Sequence, residues 1–303
     1  MADYKIQNDV LEARVNQKGA ELVSLIRRRD GKQYMWSGDA AYWNRVSPVL
    51  FPFVGKLNGQ KYQYEGRWYE GIGQHAFARD MDFTMTEQKE DEIWFRLESS
   101  DKTKEIYPFD FTFEIGYRLI KNEVQVIWKV YNRSGKTMYF SLGAHPAFLC
   151  PEDGTSASGK DGYLLDLHTE AASVESGELT ADGVLGAVTK TLSLKNGCLE
   201  LTDSLFDQDA LIINADSIKE VSLKNPGQEK YLSVSFDTPL LGIWSPAKKA
   251  APFVCIEPWY GRCDREDFAG DLSEREYGNA LEEGEIFERS YTIKIGNKSD
   301  GGA

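Results

Sequence analysis

Long apolar runs and an excess of positive charge are both missing from this 303-residue sequence. It carries 35 Lys+Arg against 48 Asp+Glu, a net charge of −13, and such a surface repels nucleic-acid phosphates and anionic lipid headgroups. No apolar run approaches the roughly 18–20 residues that a membrane-spanning helix needs. Residues 1–10 also lack the apolar centre of a signal peptide. We therefore expect a soluble, cytoplasmic protein with no nucleic-acid and no membrane partner.

Cysteine is scarce as well. The four cysteines are Cys150, Cys198, Cys255 and Cys263, and no two of them form a C-x-x-C pair. A chain of this length does not need a disulfide framework, and a structural zinc site normally shows closely spaced cysteine pairs. We expect all four thiols to be reduced.

Sustained helical periodicity is absent, and alternation with a period of two takes its place. Apolar and polar side chains alternate over residues 111–119 and again over 124–130, with Lys121-Asn122 as a turn between them. The two segments therefore predict a β-hairpin. Further short strands are predicted at residues 11–15, 23–26, 93–97, 232–236, 254–256 and 291–295.

The overall pattern favours the all-β class. Many short strands separated by turns are typical of a β-sandwich or a barrel, and the 27 glycines are spread between the strand candidates. No linker, internal repeat or change of composition marks a domain boundary. We predict one large antiparallel β domain over residues 1–295 and a flexible tail over residues 296–303.

Histidine, whose pKa near neutrality suits it to proton transfer, occurs only at His75, His145 and His168. His168 lies in an apparent strand, where a structural or surface role is favoured. Glycines before His75 indicate a sharp turn, and the small residues before His145 leave room for a ligand. The alternative for these two is a turn or strand-end histidine that hydrogen-bonds to a neighbouring loop.

Glu257 is a carboxylate that directly follows an apolar strand, in the segment CIEPWYG. Burial beside apolar residues raises the pKa of a carboxyl group towards neutrality, which a general base acting near pH 7 requires. Pairing with a buried arginine is the structural alternative. The wide sequence separation of Glu257 from His75 and His145 does not indicate whether the three side chains meet.

Five segments, in this order and across nearly the whole chain, resemble the aldose 1-epimerase (mutarotase) family. They are WNR at 43–45 with PVLFPFVG at 48–55, QHAFARD at 74–80, GAHPAF at 143–148, CIEPWYG at 255–261 and NALEEGE at 279–285. The resemblance implies a β-supersandwich that holds a sugar in a shallow cleft. It also implies an isomerase that interconverts α and β anomers with no cofactor and no metal.

The resemblance further implies roles for individual residues. Glu257 would be the general base on the anomeric hydroxyl, and His145 the general acid on the ring oxygen. His75 would hydrogen-bond to the sugar ring and position it, and Arg45 would contact sugar hydroxyls. This residue set makes the ring opening and closure of an aldose the expected chemistry.

The remaining expected contacts involve carboxylate and aromatic side chains. Asp209 would hold another hydroxyl, with Asp207 as the competing candidate. Several aromatic residues are candidates for a flat wall against the C–H face of the sugar, and each is equally a candidate for the core: Phe77, Phe148, Trp244 and Trp259.

The identity of the sugar is less defined than the chemistry. Ala76 and the prolines after His145 and Glu257 resemble the branch with lactose-operon mutarotase-like proteins and hexose-6-phosphate mutarotases rather than the galactose-handling branch. A phosphorylated sugar needs cationic partners, for which the candidates are Arg45, Lys56 and Arg79. We expect a free sugar or a sugar phosphate as partner, and a monomer or a homodimer.

Three other functions remain open at this point. A glycoside hydrolase needs two carboxylates, for which Asp80 or Asp82 would have to join Glu257. A non-catalytic sugar-binding protein needs the aromatic wall but no acid–base pair. A metal site of two histidines and a carboxylate, from His75, His145 and Glu257, matches a known ligand set by residue type but not by spacing.

Overall fold

The chain folds mainly into antiparallel β-strands in a computed structural model that describes residues 3–154 and 159–296. The strands before residue 150 are β1 (Asp3–Gln7), β2 (Leu11–Asn16), β3 (Glu21–Arg27), β4 (Lys32–Gln33), β5 (Val49–Leu50), β6 (Lys61–Tyr64), β7 (Arg67–Glu70), β8 (Thr84–Gln88), β9 (Glu92–Glu98), β10 (Phe111–Ile120), β11 (Glu123–Asn132), β12 (Met138–Phe140), β13 (Leu142–Ala144) and β14 (Ala147–Leu149). Those after it are β15 (Leu164–Asp166), β16 (Ser173–Leu179), β17 (Leu185–Ser193), β18 (Cys198–Glu200), β19 (Leu211–Asn214), β20 (Glu220–Lys224), β21 (Lys230–Phe236), β22 (Leu240–Trp244), β23 (Phe253–Tyr260), β24 (Asn279–Leu281) and β25 (Ile286–Ile295).

Helical structure is limited to short segments. The described residues contain one α-helix, α1 (Asp101–Ile106), and four 3₁₀ turns, at Asn58–Gln60, Ala78–Asp80, Asp203–Phe206 and Leu272–Glu274. Within this part of the chain, no helix combines the length and the apolar character that crossing a membrane requires.

Two large sheets form the body of the fold. One has nine strands in the order β18-β15-β20-β21-β25-β11-β10-β9-β8, and the other has eight, in the order β17-β16-β19-β22-β23-β13-β5 with β14 beside β23. Buried side chains of both sheets, such as Trp128 of β11 and Ile256 of β23, belong to one continuous apolar cluster. The predicted all-β sandwich is confirmed.

The predicted hairpin is formed by β10 and β11, which pair from Phe111 opposite Asn132 to Ile120 opposite Glu123. Its alternating pattern places one row of side chains in the core and the other towards the opposite face. The six shorter predicted strands also lie within strands, namely β2, β3, β9, β21, β23 and β25.

The α-helix is an element that the periodicity does not reveal. It begins after Ser100, whose hydroxyl accepts a hydrogen bond from the Thr103 N–H at 3.2 Å, while the Ser100 N–H donates to the Thr103 hydroxyl at 2.8 Å. This reciprocal capping stabilises the first turn. Six residues are fewer than two turns, so no repeat of 3.6 residues can develop in the sequence.

The flexible tail over residues 296–303 stays a prediction. Gly296 still donates a backbone hydrogen bond to the Tyr231 carbonyl at 2.7 Å, beyond the end of β25 at Ile295. The rest of that predicted tail, residues 297–303, lies outside the described residues. The assignment of residues 1–295 to a single domain stays a prediction.

The four cysteines are free, as predicted from their spacing, and all four are also buried. Burial raises the pKa of the Cys150 thiol to about 12 and that of Cys263 to about 11. Because the thiolate is the reactive form, these side chains act as small apolar groups at neutral pH.

Candidate active site

A cavity of about 320 Å³ is lined by β23, by the β13–β14 connection and by the turn around residue 75. It brings together most of the side chains that the sequence predicts for the site, from positions as far apart as 45 and 259. The predicted residues that line it are His145, Glu257, His75, Arg45, Arg79, Asp209 and Trp259. The remaining one, Lys56, is not among its lining residues.

Glu257 lies in β23, whose eight residues are all buried. Its side chain is 1% exposed, and neither carboxyl oxygen has a hydrogen-bond partner in the described part of the chain. Burial raises the pKa of Glu257 well above its usual value, and the negative charge of Asp209 adds to this rise. The expectation of a raised pKa agrees with this environment, and the ionisable side chain that faces Glu257 is His145 rather than an arginine.

His145 lies between β13 and β14 and faces Glu257, with its Nδ1 atom 3.4 Å from Glu257 Oε1. Trp43 stacks on its ring at a centroid distance of 4.8 Å, and Trp244 meets the ring edge-on at 5.5 Å. Burial lowers the pKa of His145 to about 3, and the positive charge of Arg79 also lowers it. These shifts favour a neutral imidazole on His145 and a protonated carboxyl group on Glu257.

His75 is fixed by its own backbone and by Gly55. Its φ of 63° lies in the left-handed region, its N–H donates to the Gly55 carbonyl at 2.8 Å, and its Nδ1 accepts from the Gly55 N–H at 3.0 Å. Burial lowers the pKa of His75 well below its usual value, and His145 and Arg79 act in the same direction. A neutral ring that accepts at Nδ1 carries its hydrogen on Nε2, so His75 is a donor towards the cavity.

Gly55 is itself tightly constrained. Its φ is 73°, and an added Cβ would lie 2.6 Å from the Cβ of Cys263. We expect Gly55→Ala to reduce the free energy of unfolding by about 1–3 kcal/mol because of backbone strain and this clash. It should also reduce activity because the His75 contact moves; chemical denaturation and a kinetic assay measure the two effects.

The matched control for this substitution is Gly31→Ala. Gly31 has nearly the same φ, 70°, but no atom lies within 4 Å of the position of an added Cβ. The Gly31→Ala variant should lose only the free energy of unfolding that comes from backbone strain, and it should retain its activity. Equal losses of activity in both variants would contradict the role of Gly55 in holding His75.

Arg45 and Arg79 share one carboxylate at the cavity. Arg45 Nη2 lies 2.9 Å from Asp80 Oδ1, and Arg79 Nε lies 3.8 Å from Asp80 Oδ2. Arg79 Nη2 also donates to the Gln74 carbonyl at 2.6 Å. Burial lowers the pKa of Arg79 to about 10, and the nearby Arg45 adds to this effect. Both guanidinium groups therefore line the cavity beside a shared carboxylate.

The structure separates the two candidate aspartates. Asp209 lines the cavity, has a left-handed backbone with φ of 79°, and accepts a hydrogen bond from the Ala210 N–H at 2.8 Å. Asp207 lines only an adjoining cavity. The Lys56 side chain runs beside Gly183, where an added Cβ would lie 3.1 Å from Nζ.

Trp259 is held flat by two glycines in neighbouring strands. An added Cβ on Gly143 would lie 2.6 Å from the Trp259 ring, and one on Gly242 would lie 2.4 Å from it. The indole nitrogen has no hydrogen-bond partner among the described residues. Larger side chains at either glycine would displace the ring, so both strands contribute to the cavity wall.

The other candidates for an aromatic wall divide between the cavity and the core. Trp244 lines the cavity, whereas Phe148 is fully buried and Phe77 packs against the main apolar cluster. Trp43 and Gln74 line the cavity and were not singled out as site residues, although both belong to segments that resemble the family. The proximity of Trp43 to Arg45 in the sequence is the signal that points to it.

His168, for which a structural or surface role is predicted, is exposed and is not among the described residues that line the cavity. Its Nε2 atom lies 2.7 Å from the Ser222 hydroxyl and 3.2 Å from Glu220 Oε1. The glycosidase candidates Asp80 and Asp82 are likewise absent from the cavity lining formed by described residues. Asp80 instead pairs with Arg45.

The group of possible metal ligands in the structure differs from the set of His75, His145 and Glu257 that was considered from the sequence. The nearest group of ligand atoms is formed by His145, Cys255 and Glu257, all within 4.8 Å of one another. His75 is not part of it, and its Nδ1 atom is occupied by Gly55. Burial, and then the charge of Glu257, raises the pKa of Cys255 well above its usual value, which disfavours the thiolate that a metal requires.

The family model for aldose 1-epimerase matches residues 2–277. The plasmid and chromosomal forms of the protein LacX from Lactococcus lactis are each 31% identical over 265 residues, which cover 85% of this chain and 87% of LacX.

Among solved structures, a galactose mutarotase related enzyme from Lactobacillus acidophilus is 33% identical, with a TM-score of 0.92 over 99% of both chains. A galactose mutarotase-like protein from Lactobacillus casei is 28% identical, with a TM-score of 0.91 over 97% of this chain and all of that one. The match therefore extends over the whole fold that carries the cavity.

Proposed function

Since the chain belongs to the aldose 1-epimerase family, we propose that it interconverts the α and β anomers of an aldose by acid–base ring opening and closure, without a metal. The observation that carries the proposal is the pair formed by Glu257 and His145. Their side chains are buried in one cavity, 3.4 Å apart, and the facing atoms have no hydrogen-bond partner in the described residues.

The separation of the pair suits the chemistry of a hemiacetal. Ring opening removes a proton from O1 and delivers one to O5, and both oxygens are bonded to C1. An acid and a base must therefore reach two neighbouring atoms, which two side chains in contact can do. After rotation about the C1–C2 bond, the reverse transfers close the ring on the other face of the aldehyde.

One proton shared by the pair is enough for both directions. With the proton on His145 and none on Glu257, the pair opens the ring: Glu257 takes the O1 proton and His145 protonates O5. With the proton on Glu257, the same pair closes the ring by the reverse steps. Burial favours the second state, whereas sugar hydroxyls that donate hydrogen bonds to the carboxylate favour the first.

The other lining residues would bind and orient the sugar. His75 offers a neutral Nε2–H donor, Arg45 and Arg79 offer charged donors, and Asp209 offers an acceptor for hydroxyl groups. Trp259 supplies a flat apolar surface. Lys56, which lies outside the cavity lining, has no assigned contact with a sugar held there.

A panel of sugars tests the proposal directly. Polarimetry or NMR saturation transfer would measure anomer interconversion of free hexoses and of hexose 6-phosphates with and without the protein. We expect acceleration of at least one aldose that persists after treatment with a chelator. Binding of sugars without acceleration of any would contradict the proposal and favour a binding protein, and release of reducing sugar from an aryl glycoside would favour a hydrolase.

A further inference from the structure

The loop that carries Trp43 is hydrogen-bonded to β14, the strand that follows His145. The Ala147 N–H donates to the Val46 carbonyl at 2.8 Å, and the Ala147 carbonyl accepts from the Trp36 N–H at 3.0 Å. The Trp36 indole in turn donates to the Trp43 carbonyl at 2.9 Å. Because Ala147 lies only two residues after His145, these bonds fix Trp43 relative to the proposed general acid.

Aromatic packing holds the ring of Trp43 as well. Phe253 of β23 is fully buried and stacks on both Trp36 and Trp43, at centroid distances of 4.6 and 5.9 Å. Trp244 meets the Trp43 ring edge-to-face at 5.4 Å. Trp43 itself lies on the imidazole of His145, with the two planes 29° apart. A tilt of the indole would therefore disturb the packing of the neighbouring rings.

The plane of the His145 ring decides where its proton can go. The lone pair and the N–H group of an imidazole both lie in the plane of the ring. Nδ1 faces Glu257 Oε1 at 3.4 Å and has no hydrogen-bond partner among the described residues, so no hydrogen bond at that atom fixes the plane. Stacking on Trp43 fixes it instead, because a ring rotated out of the stack would turn its nitrogens away from Glu257.

The face of the indole also affects the charge of the imidazole. Ring opening by the proposed mechanism needs His145 in its charged form. A carboxylate on Glu257 favours that form, whereas burial, Arg79 and Arg45 oppose it. The ring of His75, 5.6 Å away, is neutral. The face of an indole attracts a cation within about 6 Å of its centroid, and the separation here is 4.8 Å.

From these contacts we infer that Trp43 is a positioning residue for His145: it sets the plane in which the imidazole exchanges its proton and stabilises the charged form of the ring. The inference rests on the proposed function and gives Trp43 a part in proton transfer as well as a place in the cavity wall. Because His145 acts after the sugar has bound, the effect of Trp43 belongs in kcat. A residue that only contacts the sugar would alter KM instead.

The test is the steady-state kinetics of Trp43→Leu and Trp43→Phe with the aldose that the wild type converts fastest. Leucine is apolar but has no aromatic face. We therefore expect kcat to fall by about 3–30-fold, the usual effect of one cation–π contact, with KM changed less than about threefold. Phenylalanine keeps a weaker aromatic face, so the kcat of Trp43→Phe should lie between those of the wild type and Trp43→Leu.

The matched control is Trp68→Leu. Trp68 is exposed, has the Lys61 ammonium group 4.7 Å from its ring centroid, and is not among the described residues that line the cavity. Its kcat should stay within about twofold of wild type. A wild-type kcat in Trp43→Leu or a rise in KM alone would overturn the inference and leave the proposed function intact. If Trp43→Leu fails to fold, as circular dichroism would show, a wild-type kcat in Trp43→Phe has the same meaning. No acceleration of any aldose by the wild type would overturn the proposed function and this inference with it.

Discussion

Replacing Glu257 by glutamine is expected to slow anomer interconversion by about 10²–10⁴-fold, the usual contribution of one positioned proton-transfer group. Glutamine has nearly the same shape but can neither accept the O1 proton nor return it. The side chain lies in a fully buried strand, so the amide should occupy the same place. Polarimetry on the sugar identified from the panel would measure the loss.

The pH dependence of stability separates this effect from misfolding. In the folded wild type the pKa of Glu257 is raised from 4.5, so its contribution to stability is full below pH 4.5 and lost as the pH rises through the folded pKa. Glu257→Gln does not titrate and should lose less stability over that window. Glu200→Gln, at an exposed position, is the matched control. Normal activity in Glu257→Gln would rule out the proposed role.

Replacing His145 by glutamine should produce a loss of similar size, about 10²–10⁴-fold in kcat, because the transfer at O5 loses its acid and base. Glutamine keeps a polar group near Trp43 but cannot exchange a proton. His168→Gln is the control, since it removes an imidazole that is exposed and hydrogen-bonded to Ser222. Comparable losses in the two variants would contradict the assignment.

The pH profile of the wild type gives a second measurement on the same residue. Activity requires that Glu257 and His145 share one proton. A second proton, which makes His145 charged while Glu257 stays protonated, would remove the base and stop the reaction. Because the pKa of His145 is lowered to about 3, activity should persist well below pH 6.5. The alkaline limb should follow the raised pKa of Glu257. Both limbs report on the pair rather than on single residues.

The strands could be predicted from sequence because each has a local cause. Alternation over residues 111–130 requires one buried face, and β10 and β11 provide it. The helix at Asp101–Ile106 could not be predicted from periodicity because it is shorter than two turns and depends on the Ser100 cap. Sheet order joins distant segments, such as β11 with β25, and no local pattern encodes that pairing.

The site could be predicted only through the resemblance, since no spacing rule joins residues 75, 145 and 257. Residue type alone did not indicate which aromatic side chains face the cavity. Phe148 is buried in the core, whereas Trp43 stacks on His145. The direction of a side chain outside a regular strand depends on tertiary contacts. For the same reason, the sequence could not show that Lys56 lies outside the cavity lining.

The hydrogen bond from the Gly55 N–H to His75 has a consequence for analogues of the sugar. Because that nitrogen is occupied, the ring presents only a hydrogen to the ligand, and the group opposite must offer a lone pair. A hydroxyl group or a fluorine on the sugar carbon that faces His75 supplies such a lone pair. A protonated amine has no lone pair, so it cannot accept a hydrogen bond from His75. An amino sugar bound in that orientation would therefore place two hydrogen-bond donors opposite each other.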